Sequence, residues 1–132
     1  MTRDEMRAAI LAQIRAWEMG DAEGVANGFA HDGEIVVSGK LIRGHEALRA
    51  TVARFASRHS DVKVTLHRII FGEDSAALEY RWEDTKNETG ERYVADDAVW
   101  VDFRDGRIAR WREYWDAETP KRPWPADRSR DT

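Results

Sequence analysis

The sequence has no cysteine, which excludes disulfides, thiolate metal sites and thiol catalysis. Proline is scarce: the chain's three prolines, Pro120, Pro123 and Pro125, all lie near its C-terminal end. Nothing before them is therefore barred from regular structure by a missing N–H. No apolar run approaches the ~20 residues that span a bilayer, and the charged amphipathic N-terminus is not that of a signal peptide. Positive charge is not in excess either. A net charge of −4, with Lys and Arg interspersed among acids, leaves no basic footprint for nucleic acid and no polybasic patch for a membrane. The expectation is a cytoplasmic protein.

What the chain does have is tryptophan, six in 132 residues, and 42% hydrophobic content. That length suits one domain with a substantial core. Large flat rings imply a core, cavity or interface built from them.

Residues 105–116, Asp-Gly-Arg-Ile-Ala-Arg-Trp-Arg-Glu-Tyr-Trp-Asp, carry the strongest pattern. Asp105-Gly106 is a hairpin turn signal, and the residues after it alternate as a strand does. Ala109, Trp111, Glu113 and Trp115 share one face; Ile108, Arg110, Arg112, Tyr114 and Asp116 share the other. A carboxylate between two indoles on a buried face must be paired, hydrogen-bonded or protonated.

In chain order, Thr2-Arg-Asp-Glu5 is a capping box opening a helix. Its stripe is Met6, Ala9, Ile10, Gln13, Ile14 and Trp17, and Gly20 closes it. Asp21 caps a second helix, Ala22 to about Ala30, with Val25, Ala26 and Phe29 inward. His31-Asp-Gly-Glu34 reads as a turn before a short strand, Ile35–Val37, closed by Ser38-Gly39. A third helix runs from about His45 to Arg58, and strands then follow one another. Residues 62–71 form one. In the next, Ala76, Leu78, Tyr80 and Trp82 alternate with polar residues. A third, from Glu91 to Arg104, puts Val99, Val101 and Phe103 on one face. Parity adds Asp97 to that face; a bulge would substitute Asp96. Residues 1–118 read as the domain and 119–132, with Trp124, as a flexible tail.

Helices followed by hairpin-linked strands is an α+β pattern. Three N-terminal helices would pack on a curved antiparallel sheet, making a cone-shaped half-barrel with an internal pocket. The order resembles the nuclear-transport-factor-2-like superfamily, and within it the SnoaL-like and ketosteroid-isomerase-like proteins. The carrying residues are Gly20-Asp21, Phe29-Ala-His-Asp32, Arg43-Gly44, Asp105-Gly-Arg-Ile108 and Glu113-Tyr-Trp-Asp116. The resemblance implies a pocket between helices and sheet, and a homodimer through the convex sheet face. Trp100, on that outer face by parity, suits such an interface.

The resemblance implies no particular reaction. Ketosteroid isomerases use a carboxylate base and an oxyanion hole of tyrosine and a protonated aspartic acid. Those positions fall on Val37, Gln13 and Val99 here, so steroid isomerisation by that constellation is not expected. Arg81-Trp-Glu83 has an epoxide-hydrolase-like spacing, but parity turns Arg81 and Glu83 away from the pocket.

Parity lines the pocket with Leu78, Tyr80, Trp82, Asp97, Val99, Val101, Phe103, Trp111, Glu113 and Trp115, faced by Gln13, Trp17 and Val37. Two carboxylates in one apolar cavity push their pKa values apart and form an acid–base couple. Glu113 and Asp97 are the candidate catalytic pair, with Tyr80 as donor to a substrate oxygen. The competing reading makes Glu113 a structural acceptor from Trp N–H groups, an arginine or Gln13. Three functions stay open: a cofactor-independent isomerase, cyclase or dehydratase acting on an apolar or aromatic molecule; a non-catalytic binding or interaction module with a Trp-filled cavity; and an epoxide hydrolase, which needs Arg81 inward. No metal or cofactor is expected: His31, His45, His59 and His67 have no ligand spacing. His31 is placed near the pocket mouth and the others in solvent.

Overall fold

The computed structural model describes residues 1–119. The tail beyond them, with Trp124, lies outside the described residues. In order the elements are α1 (Arg3–Met19), α2 (Ala22–Asn27), β1 (Phe29–Val37), β2 (Lys40–Arg43), α3 (His45–Arg58), β3 (His59–Phe71), β4 (Ser75–Lys86), β5 (Arg92–Arg104) and β6 (Arg107–Asp116).

Local chemistry fixes the helix ends. The Thr2 hydroxyl accepts from the Glu5 N–H at 3.1 Å, and the Glu5 carboxylate accepts from the Thr2 N–H at 2.8 Å. Gly20 closes α1 at φ 66°, where a side chain would be strained. Asp21 then caps α2 by accepting from Gly24 N–H at 2.9 Å. The second helix ends at Asn27, short of the expected Ala30. Phe29 and Ala30 are buried in β1 instead, where Phe29 pairs with Ile108 of β6. The chain gains a strand partner there, which a further helical turn would forgo.

The six strands form one curved, open sheet in the order β2-β1-β6-β5-β4-β3. The β1–β6 pairing is parallel and the rest antiparallel, so the sheet is mixed. The turn expected at His31–Glu34 is a bulge within β1: register passes from Phe29↔Ile108 to Glu34↔Arg110. Ser38-Gly39, at φ 48° and 76°, is a tight hairpin into β2, a strand that the sequence reading missed. Asp105-Gly106, at φ 54° and 78°, is the same device between β5 and β6. An irregularity between Asp102 and Phe103 on β5 pairs Phe103 with Ile108, and Ile108 is fully buried. It was expected on the outer face; the slip turns it inward.

One sheet face meets the helices in two stretches. At one end Met6, Ile10, Val25, Phe29, Leu48 and Val52 close on Leu78, Val99, Val101, Phe103 and Ile108 as a packed core. At the other end the helices stand off and leave a cavity. Gln13, the polar member of the α1 stripe, lies at 2% exposure in the core, and its amide donates to the Val25 carbonyl at 2.9 Å. Gly28 leaves room for it: a Cβ there would sit 2.2 Å from Gln13 Nε2. Gly28→Ala is therefore expected to cost about 1–3 kcal/mol by displacing that buried amide. Urea denaturation reads it, and an unchanged midpoint would contradict the account.

Candidate functional site

The cavity has a volume of about 460 Å³. β4, β5 and β6 build its floor because they present every second side chain to the helices. Tyr80 and Trp82 come from β4, Tyr93, Ala95 and Asp97 from β5, and Trp111, Glu113 and Trp115 from β6. Ile14 and Trp17 of α1 and Thr51 and Phe55 of α3 form the roof. Ile35 and Val37 of β1, Ser38, Lys40 and Ile42 of the β1–β2 hairpin, and Val64 of β3 complete the wall.

Register explains how the polar groups meet. Tyr80 lies directly opposite Asp97 across β4 and β5. Glu113 pairs with Val99 and Asp97 with Trp115, so the two acids are diagonal neighbours on one sheet face. The Tyr80 hydroxyl and the Trp111 indole N–H both donate to Glu113 Oε1, each at 3.1 Å. Burial raises the Glu113 pKa, and those two donors pull the other way. Asp97 is 8% exposed, and its Oδ1 has no hydrogen-bond partner among the described residues. Its pKa rises to about 8, first from burial and then from the Glu113 charge, with the Tyr80 hydroxyl offsetting part. Tyr80 itself is pushed well above the ordinary phenol range by burial and by the two carboxylates.

The asymmetry of partners divides the roles. Burial raises both carboxyls, but two donors on one oxygen favour the charged form of Glu113 over that of Asp97, which keeps its proton near neutral pH. The Tyr80 hydroxyl donates to Glu113 and also acts on Asp97, so it stands between the two carboxyls.

The structure brings Tyr80, Trp82, Asp97, Trp111, Glu113 and Trp115 together with Trp17 and Val37. Gln13, Leu78, Val99, Val101 and Phe103, which were expected in the wall, lie in the packed core. They share the face but sit where α1 to α3 have already closed on it. Tyr93 and Ala95 were missed, although they share the parity of Asp97. Phe55, on α3, was not placed at the cavity. Ile42 and Lys40 were unreadable without β2.

An aromatic assembly holds the roof to the floor. Trp17, Phe55 and Trp82 meet edge-on at centroid distances of 5.7–6.0 Å. Behind them Asp84, nearly fully buried, accepts from Trp82 Nε1 at 2.7 Å and lies 2.8 Å from His59 Nδ1. His59 stacks on Phe55 at 4.5 Å. His59 is thus built into the wall support, not solvated as expected. His45 Nε2 lies 2.9 Å from the Phe29 carbonyl. His31 is exposed beside the His45 ring and does not line the cavity. Among the described residues no group of three or more His, Asp or Glu is placed to hold a metal ion.

Arg81 does not enter the cavity. Its guanidinium grips both oxygens of Asp96, at 2.9 and 3.2 Å, on the opposite sheet face. The reading that needs it inward loses its arginine. The indoles line the cavity without filling it, which removes the premise of a Trp-filled module. No described helix is long and apolar enough to cross a membrane.

Comparison with known proteins places this geometry. A family described as the SnoaL-like domain matches residues 10–111. Among solved structures, the chain is similar to a hypothetical protein of ketosteroid isomerase-like fold from Catenulispora acidiphila, solved with trimethylamine (20% identity over 83% of this chain and 85% of that one, TM-score 0.76). It is similar to an LEH-like epoxide hydrolase from M. tuberculosis (24% identity, 86% and 84% covered, TM-score 0.75). It is also similar to TerC co-crystallised with polyporic acid (22% identity, 85% and 92% covered, TM-score 0.73). These likenesses establish the fold. No curated protein matches the chain.

Proposed function

From the premise that the chain belongs to the SnoaL-like domain family, we propose that it is a cofactor-independent enzyme of proton transfer beside a carbonyl. One observation carries this reading: two buried carboxylates share one apolar cavity, Glu113 held by two donors and Asp97 with an oxygen that has no partner among the described residues. Ionised Glu113 takes the proton from the carbon next to the carbonyl. Protonated Asp97 donates its proton to the oxygen as enolate charge develops. Tyr80 and Trp111 hold the Glu113 carboxylate in place, and the indoles flank a flat, apolar substrate. Isomerisation, cyclisation or dehydration are the productive outcomes of such a step. The substrate class is a small cyclic or aromatic ketone.

The small ligands in similar proteins, trimethylamine and polyporic acid, support reading the cavity as a small-molecule site. On the convex face Ile70, Trp100 and Tyr114 are each at least half exposed, which supports a homodimer through that face. The chemistry is tested by deuterium exchange at the α-carbons of 1-indanone, 2-cyclohexenone and 2-tetralone, followed by NMR. Saturable exchange above the buffer rate on at least one ketone is expected. Exchange at the buffer rate across all three would overturn the proposal for this substrate class.

A further inference from the structure

The proposed reaction uses Asp97 as an acid and leaves unexplained why so many rings line the cavity it shares. Trp17, Trp82, Trp111 and Trp115 line the cavity together with Phe55 and Tyr93. Aromatic rings around an unpaired carboxylate form the chemistry that recognises an organic cation, by ring quadrupoles together with a counter-charge. Asp97 supplies the second part: it is 92% buried by its 8% exposure, and its Oδ1 lacks a partner among the described residues. No basic side chain is bonded to it or to Glu113 within the described cavity.

The geometry points to a second kind of ligand: the cavity takes small organic ammonium ions, quaternary or protonated tertiary amines, among its indoles with Asp97 as the counter-ion. Binding releases the carboxyl proton to solvent, so Asp97-COOH and R₄N⁺ become Asp97-COO⁻·R₄N⁺ and H⁺. The ammonium ion and the ketone therefore require opposite states of the same carboxyl and exclude one another. This inference shares the cavity of the proposed reaction but does not depend on turnover.

The surroundings of Asp97 decide the pH dependence. Glu113 faces it from β6, Tyr80 from β4 and Tyr93 from its own strand. Lys40, on β2, is the one cation among the described lining residues and is exposed. α1 and α3 present only uncharged groups, Ile14, Trp17, Thr51 and Phe55, and β1 and β3 add Ile35, Val37 and Val64. On the far side of the sheet Asp96 adds a smaller charge. With the Asp97 carboxyl titrating at about 8, the fraction competent for a cation rises roughly tenfold between pH 7 and pH 9.

Isothermal titration of the full-length protein with choline and with its neutral carbon isostere, 3,3-dimethylbutan-1-ol, tests this. Choline is expected to bind about tenfold more tightly at pH 9 than at pH 7, and about tenfold more tightly than the alcohol at pH 9. Asp97→Asn should abolish the pH dependence. Equal affinity for the two probes, or choline affinity flat between pH 7 and 9 in the wild type, overturns the inference whether or not the variant folds. Ketone exchange without choline preference sinks this inference alone, and choline preference without exchange sinks the catalytic reading alone.

Discussion

Glu113→Gln lowers α-proton exchange on a ketone substrate by about 10²- to 10⁴-fold, the usual contribution of a positioned general base. The substitution is nearly isosteric. The glutamine carbonyl can still accept from the Tyr80 hydroxyl and the Trp111 indole, each 3.1 Å from Oε1 in the wild type. Cavity shape and substrate binding should therefore persist, and the loss should fall on kcat with KM nearly constant. The wild-type rate should also fall as pH rises past about 8, because the acid that protonates the enolate is then consumed. Its rising limb belongs to Glu113, whose pKa burial raises and whose two donors hold it back. Exchange measured by NMR over pH 5–10 in both proteins checks this. An unchanged rate in Glu113→Gln would make Glu113 a structural acceptor and remove it from the chemistry.

Those two acids could be placed together from the sequence because strand parity is a two-state variable. Once Val99 faces inward, Asp97 does too, unless a bulge intervenes, and the β4–β5 register runs unbroken from Ser75↔Asp102 to Thr85↔Arg92. Parity failed where registers break. Ile108 changes face at an irregularity, and the His31–Glu34 turn signal is a bulge inside a strand rather than its boundary. β2 escaped notice because its four residues are mostly exposed and it is an edge of the sheet. An edge strand with one neighbour carries little hydrophobic signal.

The depth of the cavity was less legible than its face. Leu78, Val99 and Tyr80 share a sheet face and are all buried, yet of the three only Tyr80 borders the cavity. That difference depends on helix placement along the strands, which local periodicity does not encode. Gln13 shows the same limit. Its position in an apolar stripe suggested a wall group, but the chemistry that captured it is the Val25 carbonyl, which lies 12 residues away in sequence. The Asp84 bridge between Trp82 and His59 joins residues 25 apart and likewise had no local signature.

Asp97→Asn stabilises the fold at neutral pH by several kcal/mol, even as it removes the proposed acid. In the native state the Asp97 carboxyl titrates at about 8 against an ordinary value of 3.8. Between those values the unfolded chain has released a proton that the folded chain still holds. Stability must then fall as pH rises through that window, by up to about 1.4 kcal/mol per unit, and level off above it. Coupling to Glu113 shares part of this cost between the two acids, so the gain expected from one asparagine is about 2–5 kcal/mol at pH 8. It should shrink toward zero below pH 4, where both side chains are neutral. Thermal unfolding followed by circular dichroism at pH 4, 6 and 8 reads the difference as a gap that opens with pH. A carboxyl kept merely to bind the core together would behave in the opposite way: Asp97→Asn would be neutral or destabilising, with no pH trend. A stabilising asparagine would instead mark Asp97 as a group held against the interest of the fold, as active-site residues often are.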